Sequence, residues 1–208
     1  MAFEKNVFIN CPFDKEYTTL LKALVFTLIY LELEPHLSQT SSSSTIRIHQ
    51  IKQLIRMCKF GIHDLSRNKA MEEGELPRFN MPYELGLDIG AAEYGNKQLK
   101  TKKILILDTE RYHYQKVLSD IAGQDIASHQ NDAQTLIKKI RNWMSVNTEH
   151  KIIVPHSEIW TAFNQFTDDL LSTLIPTFTS EDIDEMTISD YIKFAKDWIA
   201  RYKSALRH

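Results

Sequence analysis

Cysteine is scarce in this chain of 208 residues. Cys11 and Cys58 are the only two, and they have neither the spacing of a metal site nor the numbers for a disulfide framework. Clustered charge is also absent. Twenty-five basic residues stand against 27 acidic ones for a formal net charge of -2, and the cations are spread along the chain. A nonspecific nucleic-acid binder carries a basic stripe, so DNA or RNA is not expected as the main partner. No apolar run reaches membrane-spanning length: the stretch Leu20–Leu33 is too short and is broken by Lys22 and Glu32. With no signal peptide legible, the chain is expected to be soluble and cytoplasmic, with no membrane partner. Neither GxGxxG nor GxxxxGK[ST] occurs, so any nucleotide must be held by side chains and helix N-termini. No internal repeat is found.

What is present is an alternation of short apolar runs with longer amphipathic ones, the pattern of a parallel sheet covered by helices. Strands are expected at Asn6–Asn10, Glu34–Leu37, Phe60–His63, Lys103–Leu107 and Lys151–Val154. Helices are expected at Tyr17–Leu31, Ile46–Cys58, Pro82–Tyr94, Asp132–Val146, Glu158–Ile175 and Ser189–Tyr202. This is a flavodoxin-like, doubly wound, five-stranded parallel sheet in the order 2-1-3-4-5. Pro35 suits an edge better than a centre. With 43% hydrophobic residues, the chain can bury one α/β domain, residues 1–154. Residues 155–208 form a helical extension, packed on that domain or at a dimer interface. Trp160, Phe163, Phe166, Leu170 and Leu174 recur there at helical spacing, as do Ile188, Tyr191, Ala195, Trp198 and Tyr202. Gln39–Thr45 reads as a polar loop, and Asn68–Asn80 as a lid-like loop ahead of Pro82.

Ligands of doubly wound sheets bind beyond the carboxyl ends of the strands, at the switch in strand order. Here that switch lies between the first and third strands. It brings Asn10-Cys11-Pro12-Phe13-Asp14 to the loop Asp64-Leu65-Ser66-Arg67. Glu84, expected in the first turn of the helix that Pro82 opens, has two readings. It is a carboxylate favoured by the helix dipole, or it is a reactive group facing the crevice. Gly86 and Gly90 weaken this helix unless close packing or ligand access requires them. Asp64 either caps the following loop as an Asx turn or faces the same crevice. Arg67, Arg78 and Arg111 are solvated residues or phosphate ligands. His63 alternates with Asp64, so one of the two faces a helix layer, and His63 reads as a packed histidine. The segment from Ser119 to Asp125, followed by His129, is a second polar cluster after the fourth strand. Its spacing matches no metal motif, and no metal is expected.

These residues resemble a superfamily: the nucleoside 2-deoxyribosyltransferases and the TIR domains that share their architecture. The resemblance is carried by Val7-Phe8-Ile9-Asn10, by Tyr83-Glu84-Leu85-Gly86 with Ala91-Ala92, Gly95 and Lys97 before the fourth strand, and by His63-Asp64-Leu65-Ser66. It covers roughly residues 5–110 and looks most like uncharacterised bacterial TIR-like proteins, a set associated with antiviral defence. It implies cleavage of, or transfer across, the N-glycosidic bond of a nucleotide or nucleoside. Glu84 and Asp64 would be catalytic, and Asn10, Cys11, Pro12, Phe13, Ser66, Arg67, Arg78 and Asn80 would bind substrate. No cofactor is implied, NAD being a substrate. Where the transferases carry an acidic, Gly-containing loop, this chain has Pro77-Arg78-Phe79-Asn80-Met81-Pro82, which suits a phosphate-bearing ligand. The helices after Pro155 match neither group. Two non-catalytic alternatives stand beside the enzyme: a nucleotide-sensing module that signals to an effector protein, and a scaffold that acts as a homo-oligomer.

Overall fold

The computed structural model describes residues 3–38, 46–66, 79–111, 118–121, 126–149 and 152–206. Five parallel strands form one sheet in the order β2-β1-β3-β4-β5. They are β1 (Asn6–Asn10), β2 (Glu34–Leu37), β3 (Phe60–Asp64), β4 (Lys103–Asp108) and β5 (Ala127–Ser128). The helices are α1 (Thr18–Tyr30), α2 (Arg47–Met57), α3 (Asn80–Tyr94), α4 (Ala133–Asn147), α5 (His156–Leu174), the short α6 (Ser180–Asp184) and α7 (Ile188–Ala205). All five residues of β1 and of β3 are buried, as expected for strands covered on both faces. Pro35 sits in β2, the edge strand, where a missing amide costs no central ladder bond.

The largest apolar core lies on the face of the sheet covered by α1 and α4. It runs on into α5 and α7 without a break. The ring of Phe26 in α1 lies 5.3 Å from that of Phe166, 5.5 Å from Phe163 and 6.1 Å from Trp198. The aromatic stripes of the C-terminal helices are therefore packed against the sheet domain. On the other face, α2 and α3 enclose Phe8, Ile51, Ile55 and Cys58, while Leu65, Met81, Leu85 and Ile106 cluster nearer the carboxyl edge. Among the described residues, no helix is long and apolar enough to cross a membrane.

Two expectations are corrected. The fifth strand is not Lys151–Val154 but Ala127–Ser128, which pairs with Leu107 and Asp108. Residues 152–155 form no strand. Their apolar side chains still reach the main core, which is what gives them the look of a strand. Their carbonyls are taken by Arg141 of α4, whose guanidinium donates to Val154 O at 2.7 Å and to Ile152 O at 3.2 Å. A side-chain fork thus replaces a ladder. The second correction concerns α3, which begins at Asn80, so Pro82 is its third residue and Glu84 its fifth. No acidic residue lies in its first turn, and the helix-dipole reading of Glu84 falls.

Candidate functional site

The carboxyl ends of β1 and β3 meet at the switch point, and two buried polar networks flank β3 there. His63 and Asp64 are adjacent on the strand and point to opposite faces, as the pleat requires. On the α3 side, Asn10 Nδ2 donates to Met81 O at 2.9 Å, which fixes the amide's orientation. The same nitrogen lies 3.0 Å from His63 Nδ1. His63 Nδ1 is therefore the acceptor, and Nε2 carries the proton toward Asp88 Oδ2, 3.0 Å away. Asp88 Oδ1 lies 3.0 Å from Lys102 Nζ, with both side chains fully buried. Lys102 also donates to the carbonyls of Ile55 and Cys58. The angle at Oδ1 is poor for a hydrogen bond, so this contact is chiefly a charge pair. Gly61 makes room for the chain, because a Cβ there would overlap the Asp88 carboxylate. The network joins the segment before β4 to the first turn of α3.

On the opposite side, Asp64 is fully buried and its carboxylate is in use. Tyr17 Oη donates to Oδ2 at 2.6 Å, and the Ser66 amide donates to Oδ1 at 2.9 Å, forming the Asx turn. His129 Nε2 stands 3.0 Å from Oδ2. His129 Nδ1 accepts the Asn131 amide at 3.1 Å, so Nε2 bears the proton and faces the carboxylate. The approach is off-line for an ideal hydrogen bond, but the distance and full burial make it an electrostatic contact. Burial pushes the Asp64 pKa up, and the contacts with His129, Ser66 and Tyr17 outweigh it, leaving the carboxyl below its ordinary range. Asp64 thus ties the end of β3 to two distant segments, those of Tyr17 and His129, and is turned away from the layer that holds Glu84.

Glu84 is different. It is only 5% exposed, yet its carboxylate accepts no hydrogen bond among the described residues. Burial raises its pKa, and the positive charge of Arg47 at the start of α2 partly offsets the shift. It stands one turn beyond Met81, whose carbonyl is tied to Asn10, and is thereby held beside the switch point. Phe79 and Tyr83, which flank it at the start of α3, are 63% and 57% exposed and do not enter the core.

The remaining site residues divide. Cys11 lies within the field of both Asp64 and Glu84. Burial first, then those two carboxylates and Asp14, push its thiol well up, so it is no nucleophile. Pro12 is buried beside it. Phe13 turns away, packing on the main core beside the start of α7. The Ser66 hydroxyl is buried without a partner at the end of β3. Asn80 is exposed at the first position of α3. Arg67 and Arg78 lie outside the described residues, as do the loop at residues 39–45 and residues 68–78 of the expected lid. Tyr17, Asp88, Lys102 and Arg47 were not singled out from the sequence. The available signal was Asp88, a carboxylate one turn after Glu84 on the buried face of α3. Among the described residues, no group of three His, Cys, Asp or Glu side chains could hold a metal ion.

No protein-family model matches the chain, and no curated protein is significantly similar to it.

Proposed function

We propose that the chain cleaves, or transfers across, the N-glycosidic bond of a nucleotide, with Glu84 as the one reacting carboxylate. The observation that carries this reading is the contrast among buried carboxylates. Asp64 and Asp88 are each committed to buried partners, whereas Glu84 is largely buried, accepts no hydrogen bond among the described residues and is held at the switch point. Burying an ionisable group without bonds costs stability, and sites that tolerate such a cost are where function concentrates.

The chemistry follows from a buried carboxylate that has no hydrogen bond among the described residues. The C1′–N bond breaks heterolytically, its electron pair leaving with the base, and the sugar acquires oxocarbenium character. An anionic carboxylate in a dry pocket stabilises that charge. Water then adds at C1′, and the proton it releases goes to Glu84, whose raised proton affinity suits it as the base. Among the described acids that flank β3 at the switch point, Asp64 and Asp88 are both enclosed, so neither is free to protonate the leaving group. The favoured substrate is therefore one whose base departs without protonation. The pyridinium of NAD leaves as neutral nicotinamide and meets that condition, whereas an ordinary deoxynucleoside does not. The catalytic role expected for Asp64 becomes one of positioning.

The test is incubation of the pure protein with NAD, NADP and deoxynucleosides, with chromatographic analysis of the products. Release of nicotinamide is expected, with deoxynucleosides left intact. Turnover of deoxynucleosides in preference to NAD, or of neither, would refute the proposal.

A further inference from the structure

Beyond the carboxyl ends of β4 and β5 lies an open cleft of about 670 Å³, separate from the switch point between β1 and β3. Thr109, Glu110 and Arg111 lead into it from β4. Ser128 and Gln130 border it from β5, and Thr135, Lys138 and Lys139 present one face of α4. The last three stand at i, i+3 and i+4, so they share that face by helical geometry. From these residues we infer that the cleft binds a phosphorylated small molecule through a diphosphate group.

Charge is the first argument. Three cations among the described residues face one carboxylate, Glu110, in a chain whose formal net charge is -2. Among the described residues, Arg111, Lys138 and Lys139 make no ion pair and no side-chain hydrogen bond. Some lysines elsewhere are matched, Lys59 with Glu4, Lys196 with Glu34 and Lys203 with Glu32, while others such as Lys52 and Lys97 stand singly on the surface. What sets Arg111, Lys138 and Lys139 apart is that they gather around one concavity. Unmatched cations gathered around a concavity repel one another unless an anion occupies it. A residual charge of about two fits a diphosphate better than a single carboxylate. A guanidinium fork with two ammonium groups is also a set suited to phosphate oxygens.

Shape is the second argument. The volume falls in the range of small-molecule sites, roughly 300 to 1,000 Å³, and is much larger than a lone ion requires. The wall is rigid where it meets β5. His129 is clasped to Asp64, and the Gln130 and Asn131 amides donate to Thr109 O and to His129 Nδ1. Gln130 and Asn131 both hold left-handed backbone, with φ of 56° and 54°, a strained pair that these bonds maintain. The hydroxyls of Thr109 and Thr135 line the same space. The inference does not depend on the role of Glu84.

Calorimetric titration with inorganic pyrophosphate, using succinate as a dicarboxylate of similar charge, tests it. Amide chemical shifts of Ser128, Gln130 and Thr135 report the location. Pyrophosphate should bind and move those amides. Arg111→Ala, Lys138→Ala and Lys139→Ala should each weaken binding about tenfold or more, as expected for losing a charge-assisted bond. Lys138→Arg should retain it, and Glu110→Gln should tighten it. Lys100→Ala, an exposed lysine at the opposite end of β4, should change nothing. All these residues except Lys139 are surface-exposed, and melting temperatures of the variants will establish that each is folded. Absence of pyrophosphate binding, equal binding of succinate, or equal losses in Lys100→Ala would each overturn the assignment.

Discussion

Replacing Glu84 with glutamine separates catalysis from stability, because the two should move in opposite directions. The side chain is 5% exposed and accepts no hydrogen bond among the described residues, and its nearest electrostatic support is Arg47. Its pKa is raised, so the folded state binds the proton more tightly than the unfolded chain does. Below the unfolded value of 4.5 both states are protonated, and the group adds no pH dependence. Above it, ionisation burdens the folded state by about 1.4 kcal/mol for each unit of raised pKa, until the folded pKa is passed. Glutamine carries no such burden. The variant should therefore melt at or slightly below the wild type near pH 4 and gain on it steadily toward pH 7.5. Burying the amide takes back part of that gain, about 1 to 3 kcal/mol if it finds no partner. Turnover of NAD should fall by about 10²- to 10³-fold, the usual cost of losing one preorganised electrostatic group. The assays are nicotinamide release and thermal melts of both proteins across that pH range. A stability difference that is independent of pH, or that shifts toward the wild type as pH rises, would show that the ionised carboxylate supports the fold. Undiminished turnover would end the catalytic reading.

Other outcomes follow from the two networks and the core. Asp64 has a lowered pKa, so its stabilisation is present above the unfolded value of 3.8 and is lost as pH falls through the folded pKa. Asp64→Asn should cost about 3 to 5 kcal/mol in urea unfolding at pH 7 and flatten the acid limb of the stability curve. An unchanged acid limb would contradict the clasp. Gly61→Ala should lower stability by about 1 to 3 kcal/mol by displacing Asp88, and an unaltered unfolding midpoint would contradict the crowding described there. Phe26→Ala should cost about 3 to 5 kcal/mol and expose α5 and α7 to protease. A variant that stayed protease-resistant would show that the C-terminal helices do not share the sheet's core. Nucleotide turnover by the wild type should fade on acidification at a pH above 4.5, following the raised pKa of Glu84, in a pH–rate profile.

The strand order and the positions of four strands were legible because buried parallel strands are short continuous apolar runs with little else to imitate them. The fifth was not. Ala127–Ser128 has neither length nor apolar character, while the run around Ile152 and Val154 has both, its side chains half-buried against the core for a different reason. Asn10, Asp64 and Glu84 were singled out because the topology brings the carboxyl ends of β1 and β3 and the start of α3 to one edge. Their roles were not decided by position. Whether a carboxylate is free or enclosed depends on partners remote in sequence, and Tyr17 and His129 lie 47 and 65 residues from Asp64. The start of α3 was misplaced by two residues, since Pro82 is tolerated anywhere in a first turn. That small error changed Glu84 from a first-turn cap to a buried acid that accepts no hydrogen bond among the described residues.

The adjacency of His63 and Asp64 also protects the sheet against misassembly. Each is committed to partners in the opposite layer, Asp88 on one side and the Tyr17 hydroxyl on the other. Slippage of β3 by one residue between β1 and β4 would exchange the two faces. The Asp64 carboxylate would then confront Asp88 in a dry interior, and the imidazole would take the place of the acceptor that Tyr17 needs. The apolar neighbours Phe60, Ile62 and Leu65 offer little such discrimination, because both layers accept apolar side chains, whereas Gly61 adds to it by keeping the place beside Asp88 free of a side chain. Two polar residues thus forbid an alternative alignment that hydrophobicity alone would permit. Variants in which both are made apolar should lose the uniqueness of the strand alignment before they lose the sheet itself.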